Sequence, residues 1–206
     1  MNRPDAPHDK PDSTLQSTVI LIGPMSAGKS TIAQCLAEKL GIPRYEVDEH
    51  RLTYYREIDY DNATAAQIFH SEGMVGLMRY WKPFEAYAVE RVVAEHRGCV
   101  IDFGAGHTVH EDEALFERVS RALAPFPNVI LLLPSPDLDE SVRVVNDRFA
   151  ALLQREFGTV DPALLQVNEH FVRHPSNHRL AKIVVYTDGK TPDETCAEVL
   201  QRIAGS

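Results

Sequence analysis

The strongest chemical signal in the chain is Gly23-Pro24-Met25-Ser26-Ala27-Gly28-Lys29-Ser30, followed by Thr31. It matches every fixed position of the phosphate-binding pattern G-x-x-x-x-G-K-[ST]. Glycines at that spacing let backbone N–H groups turn inward around a chain of phosphates. The lysine brings a cation to the β- and γ-phosphates, and the serine hydroxyl can ligate Mg2+. The flanks agree. Val19-Ile20-Leu21-Ile22 is a short apolar run suited to a buried parallel strand. Ile32, Leu36 and Leu40 then recur at helical spacing and Gly41 follows, where a helix end favours φ > 0. The phosphates would meet a helix N-terminus, where free N–H groups and the dipole favour anions. The pattern predicts a nucleoside triphosphate site over residues 23–31.

Other residues could serve such a site. Asp102 falls near the carboxyl end of a predicted strand, where an acid can hold the metal; alternatively it fixes the glycine turn that follows. Asp48 ends another predicted strand and could equally cap the next helix. His170, His174 and His178 are spaced by four, as metal ligands on one helix would be. Pro175 interrupts that helix, so the three are expected not to share a face. His107 and His110 follow Gly104-Ala105-Gly106, and one of them could touch a ligand there. Tyr54, Tyr55, Tyr60, Tyr80, Trp81 and Phe84 read mainly as a core stripe, with a few walling a pocket.

The elements that must position these residues alternate between strand and helix, the pattern of an α/β protein with a parallel sheet. Predicted strands cover residues 19–22, 44–47, 99–103, 129–133 and 183–186. The fourth, Val-Ile-Leu-Leu-Leu, is the most apolar and is expected at the centre. Ser135-Pro136-Asp137 reads as N-cap, first-turn proline and acidic first turn of a long helix, and Thr191-Pro192-Asp193-Glu194 as a capping box. Residues 1–16 read as a disordered leader without a signal-peptide core, and 17–206 as one domain. Two stretches break the rhythm. Residues 49–81 are expected to form a substrate-binding segment and 149–171 a lid, because insertions after strand carboxyl ends lie over the ligand crevice.

Composition narrows the partners. The 206 residues are 44% hydrophobic and 25% charged, ordinary for a soluble domain, and the net charge of −9 argues against nucleic acid. No apolar run approaches the ~20 residues that cross a membrane. Cys35, Cys99 and Cys196 fit no metal-ligand spacing and read as reduced thiols of a cytoplasmic protein.

Taken in order, these residues resemble shikimate kinase and its relatives among the nucleoside-monophosphate-kinase-like P-loop enzymes, over residues 19–203. Four places carry the resemblance: GPMSAGKST at 23–31, Tyr45-Glu46-Val47-Asp48, Gly104-Ala105-Gly106, and Arg173-His174-Pro175 followed by Leu180-Ala181. The resemblance implies a three-layer P-loop kinase fold, a five-stranded parallel sheet with helices on both faces, plus the two insertions. It implies ATP and Mg2+ as cofactors and transfer of the γ-phosphate to a hydroxyl of a small, carboxylated acceptor. Residues 23–31 would hold ATP, with Lys29 catalytic and Arg143 against the adenine. Asp48 would contact the acceptor hydroxyl, Gly104, Ala105 and Gly106 would approach the acceptor closely, and Arg173 would pair with its carboxylate. Ser30 would hold the metal with Glu46, the role for which Asp102 competes.

This chain also departs from the family. Glu46 replaces an aspartate and Ala105 interrupts a triple glycine. Lys82, in Trp81-Lys82-Pro83-Phe84-Glu85, stands nearest the family's first substrate arginine but cannot form a bidentate fork. Arg148 and Arg155 are the candidates for a catalytic lid arginine. A regulatory ATPase or switch and a nucleoside-monophosphate kinase are the alternative functions, and a monomer or dimer is expected.

Overall fold

Five short runs pair into one sheet: β1 (Val19–Ile22), β2 (Arg44–Glu46), β3 (Val100–Asp102), β4 (Val129–Leu133) and β5 (Ile183–Tyr186). All four pairings are parallel, in the order β2-β3-β1-β4-β5. The three inner strands are buried along their whole length, as strands covered on both faces must be. β1 takes the centre in place of β4, because the strand order reverses on either side of it and the crevice opens at that switch point. β4 lies one place off centre, between β1 and β5.

The structure is a computed structural model and describes residues 13–205. Residues 1–12 of the expected leader lie outside these. Its remainder is ordered, contrary to expectation: α1 (Ser13–Ser17) is a short helix, and Asn128 Nδ2 donates to the Gln16 carbonyl at 2.6 Å. The other helices are α2 (Lys29–Leu40), α3 (Val47–Arg56), α4 (Asn62–Glu95), α5 (Glu113–Leu123), α6 (Leu138–Phe157), α7 (Pro162–Arg173), α8 (Ser176–Leu180) and α9 (Pro192–Ala204). The chain steps one way along the sheet from β1 to β2 and the opposite way in every later crossover. With right-handed connections, α2 therefore lands on one face and the later crossover helices on the other. Accordingly α2 packs against α9, while α5 packs against α4 and α8 on the second face. Among the described residues no helix is long and apolar enough to cross a membrane.

Local chemistry sets the helix ends. Gly41, at φ 65°, closes α2 by donating its N–H to Ala37, and Thr191 and Glu194 form the expected capping box of α9. α6 starts later than expected. Asp137, not Ser135, is its N-cap and accepts the N–H groups of Asp139 and Glu140, since a carboxylate at a helix N-terminus also meets the dipole.

The insertions have other boundaries than expected. α3 and the start of α4 make up the first, but α4 continues through residue 81 to Glu95, broken at Gly73 (φ 68°, ψ −161°). Its later part buries Phe84, Val89, Val92 and Val93 in the main core. The expected lid is the end of α6, a loop after Gly158, and α7. Only part of it is open: Phe157 is 73% exposed, whereas Val167, Asn168 and Phe171 are buried.

Asn168 ties α7 to the phosphate loop. Its Oδ1 accepts the Met25 N–H at 2.8 Å, and its Nδ2 donates to the Met25 carbonyl at 3.3 Å and to Asn146 Oδ1 at 3.1 Å. Asn168→Ala strips both Met25 backbone groups of these partners and is expected to lower unfolding free energy in urea by ~1–3 kcal/mol. An unchanged midpoint would mean that the loop keeps its shape without α7.

Candidate active site

The phosphate loop leaves the end of β1 in a conformation only its own residues allow. Gly23 has φ 137°, and a Cβ there would sit 2.6 Å from the Leu132 carbonyl oxygen. Ser26 and Gly28 also have positive φ, at 59° and 93°. Pro24 and Ala27 are buried, and Met25 and Ser26 half-buried, while Ser30 and Thr31 in the first turn of α2 are exposed. Lys29 is only 8% exposed, and its Nζ donates to the carbonyls of Gly23 (3.0 Å) and Pro24 (2.9 Å). Burial lowers its pKa, and the charges of Asp102 and Asp48 oppose that shift.

Glu46 and Asp102 are register partners at the carboxyl ends of β2 and β3. Arg44, two residues before Glu46, reaches both: its Nη2 lies 2.6 Å from Glu46 Oε2 and 3.2 Å from Asp102 Oδ2. Burial raises the Glu46 pKa and Arg44 counteracts it. The two acids thus stand side by side and share one cation. Both are hard oxygen donors of the kind that Mg2+ takes, as is the exposed Ser30 hydroxyl in the first turn of α2. Asp48 is not a helix cap. It lies in the first turn of α3, behind the N-cap position of Glu46, with its carboxylate half-exposed. A Cβ on Gly104 would collide with that carboxylate, so the glycine is what gives Asp48 its place over the turn.

Gly106 does the same for Glu85, which sequence reasoning did not single out although it ends the Trp81–Glu85 motif. Glu85 is buried and pairs with Lys82 at 2.7 Å. Lys82 Nζ also donates to the carbonyls of Gly106 (3.0 Å) and Val109 (2.9 Å). All three of its donors are engaged, so Lys82 braces the glycine turn instead of offering a free cation. Ala105 likewise has a packing role: its methyl group joins Val109, Val167 and Phe171 in a small apolar cluster. His107 and His110 are buried, and burial lowers both pKa values, that of His110 to about 4. Tyr55 Oη and His107 Nε2 are buried without a hydrogen-bond partner among the described residues. Beside Lys82 lies a cavity of about 630 Å³, whose lining includes Met78, Arg79, His110, Glu111, Val167 and His170.

The arginines separate. Arg148 borders a cavity of about 200 Å³ shared with Ala27, Gly28 and Thr31 of the loop region. Arg155 is 72% exposed and pairs with its neighbour Glu156, so only Arg148 is brought to the phosphate loop. Arg143 is paired with Glu140 and Asp147 on the surface of α6. Arg173 pairs with Glu169 and Asp139, both at 2.7 Å, and does not line the larger cavity. The structure therefore does not join Arg173 with Lys82. Two of the three spaced histidines do come together, because α7 runs through Arg173 and His174 still closes its last turn.

The family model for shikimate kinase matches residues 25–204. A shikimate kinase from Streptomyces coelicolor is 32% identical over 195 residues, covering 90% of this chain and 94% of that protein. One from Pseudomonas syringae pv. tomato is 30% identical over 188 residues, covering 90% and 95%. Among solved structures, shikimate kinase from Acinetobacter baumannii in complex with shikimate has the same fold, with a TM-score of 0.61 at 22% identity over 91% of this chain and 93% of that one. The Aquifex aeolicus enzyme gives 0.57 at 23%, over 91% and 96%. Neither a nucleotide switch nor a nucleoside-monophosphate kinase is favoured by these matches. With the phosphate loop, the acid pair and the glycine turn on one edge of a matching fold, the chain belongs to the shikimate kinase family: it uses ATP and Mg2+ to phosphorylate a hydroxyl of a small metabolite.

Proposed function

We propose that the acceptor is a small hydroxylated carboxylate, that Asp48 handles its hydroxyl and that Arg173 reads its charge. The observation that carries this reading is the fit of the Asp48 carboxylate over Gly104, close enough to Lys29 for its charge to oppose the lowering of the lysine pKa by burial. ATP is the phosphoryl donor, and Mg2+, when bound, would supply charge neutralisation for its oxygens. Lys29 would then stabilise the β- and γ-phosphates, Ser30, Glu46 and Asp102 would hold the metal shell, and Arg148 would be the lid arginine. Asp48 orients the hydroxyl and takes up its proton as phosphate transfers.

For the acceptor's charge, Arg173 is better suited than Lys82. Its partners Glu169 and Asp139 are exposed acids, and such pairs are worth only ~0–1 kcal/mol. A substrate carboxylate can exchange with them and gain a bidentate fork. Lys82 would have to leave three buried partners. The three free cysteines suit a reducing compartment with abundant ATP, and we assign the enzyme to the cytoplasm on that ground.

ADP release with ATP and Mg2+, measured across a panel of hydroxylated acids that includes shikimate, is the direct test, with Lys29→Ala as the blank. Asp48→Asn is expected to cut kcat by ~10²–10⁴-fold with little change in KM for ATP. Normal turnover in that variant would reduce Asp48 to a helix-terminus charge. Arg173→Lys is expected to raise KM for the acceptor by ~10–100-fold and leave KM for ATP nearly constant. Equal losses for both substrates, or a preferred acceptor without a carboxylate, would remove Arg173 from that role.

A further inference from the structure

Glu111, His170 and His174 bring one carboxylate oxygen and two imidazole nitrogens within 4.8 Å of one another. The break at Pro175 falls one residue too late to separate the histidines, since the His174 N–H still donates to the His170 carbonyl at 2.9 Å. The two rings therefore stand one turn apart on one side of α7, with centroids 5.1 Å apart. Glu111 comes from the segment before α5, and its Oε1 already lies 2.6 Å from His170 Nε2. We propose that these three residues bind a divalent transition metal of the Zn2+, Co2+ and Ni2+ class, at a site distinct from the Mg2+ of phosphoryl transfer.

The donor set selects that class. Two imidazoles and one carboxylate suit Zn2+ and its neighbours, whereas Mg2+ and Ca2+ prefer oxygen throughout. Histidines at i and i+4 on a helix, completed by a carboxylate from elsewhere, leave a tetrahedral ion one open position. Glu111 and His170 also line the 630 Å³ cavity, so that position would lie at its edge, available to water or to an oxygen of a bound ligand. An entering ion would take the place of the proton now shared between His170 Nε2 and Glu111 Oε1.

The surroundings can tolerate the charge. Lys82 and Arg179 are the cations His174 feels, and they are paired with Glu85 and Glu113. Asp112 beside Glu111 adds a further negative charge, while Arg79 on the cavity wall is paired with Glu72. His174 Nδ1 accepts only a long, 3.3 Å hydrogen bond from the Ser176 N–H, a contact that an ion can displace.

The test is titration of chelator-treated full-length protein with Co2+ and with Zn2+, in excess Mg2+ so that oxygen sites are filled. We expect saturation at one equivalent by calorimetry, and visible Co2+ absorption bands of low-coordinate type. His170→Ala and His174→Ala should each weaken Zn2+ binding by ~100-fold or more, while His178→Ala, beyond the break, should not change it. Glu111→Gln keeps a polar partner for His170 but removes the anionic ligand, so it should lose at least ~10-fold in affinity with an unchanged circular dichroism melt. No saturable binding to wild type, or full binding retained by both His170→Ala and His174→Ala, would overturn the site.

Discussion

A buried ammonium group organises the catalytic edge of this sheet. Lys29 is almost wholly withdrawn from water, and a cation in that position is tenable only with fixed partners. The carbonyls of Gly23 and Pro24 accept its protons, and Asp102 and Asp48 supply the opposing charge. Each partner makes its own demand on the chain. The loop must curl back over the lysine, which requires a glycine at position 23, with its φ of 137° and the Leu132 carbonyl against it. The acids must project from the same edge as the loop, which parallel pairing of β1, β2 and β3 secures by aligning their carboxyl ends. Asp48 must pass over a turn with no side chain, which Gly104 provides.

The acids raise a second electrostatic problem, because neighbouring carboxylates on adjacent strands repel. Arg44 answers it from within β2. Residues two apart on a strand share a face, so its guanidinium reaches Glu46 and, across the register, Asp102. The same guanidinium therefore offsets the repulsion between the two carboxylates at the carboxyl ends of β2 and β3. The edge strand carries the more open acid and the inner strand the buried one.

Much of this was legible in the sequence, and the limit follows from distance along the chain. The phosphate loop, the apolar runs of β1, β4 and β5 and the capping box of α9 are local patterns, and all of them appear where the residues put them. Asp137 displaced Ser135 as a cap because two good capping residues stood two positions apart and only geometry chooses between them. The bracing role of Lys82 was not legible, since two of its three partners are backbone carbonyls 24 and 27 residues away. Asn168 was invisible for a stronger reason. Its partner Met25 lies 143 residues off, and an asparagine within a helix carries no pattern of its own. The break at Pro175 sets His178 apart as expected, but it leaves His170 and His174 together: His174 is pushed to extended ψ just before the proline, yet its N–H still closes the last turn on His170.

These long-range contacts converge on α7, which makes that helix more than a cover. Its buried side carries Val167, Phe171 and the Asn168 clamp, and a different side carries Glu169 with Arg173. If Arg173 engages the acceptor as proposed, any displacement of this three-turn helix would also pull on the clamp and hence on Met25, next to the inward-turning part of the loop. The energies are commensurate. Three hydrogen bonds through Asn168 contribute about 3 kcal/mol together, at ~1 kcal/mol net each. An acceptor held at millimolar affinity brings ~4 kcal/mol. A ligand can shift an equilibrium only by its preference for one state over the other. On the proposed reading of Arg173, only the part of that binding energy that prefers one seating of α7 could act on the clamp, and any such shift would be felt at Met25 of the phosphate loop.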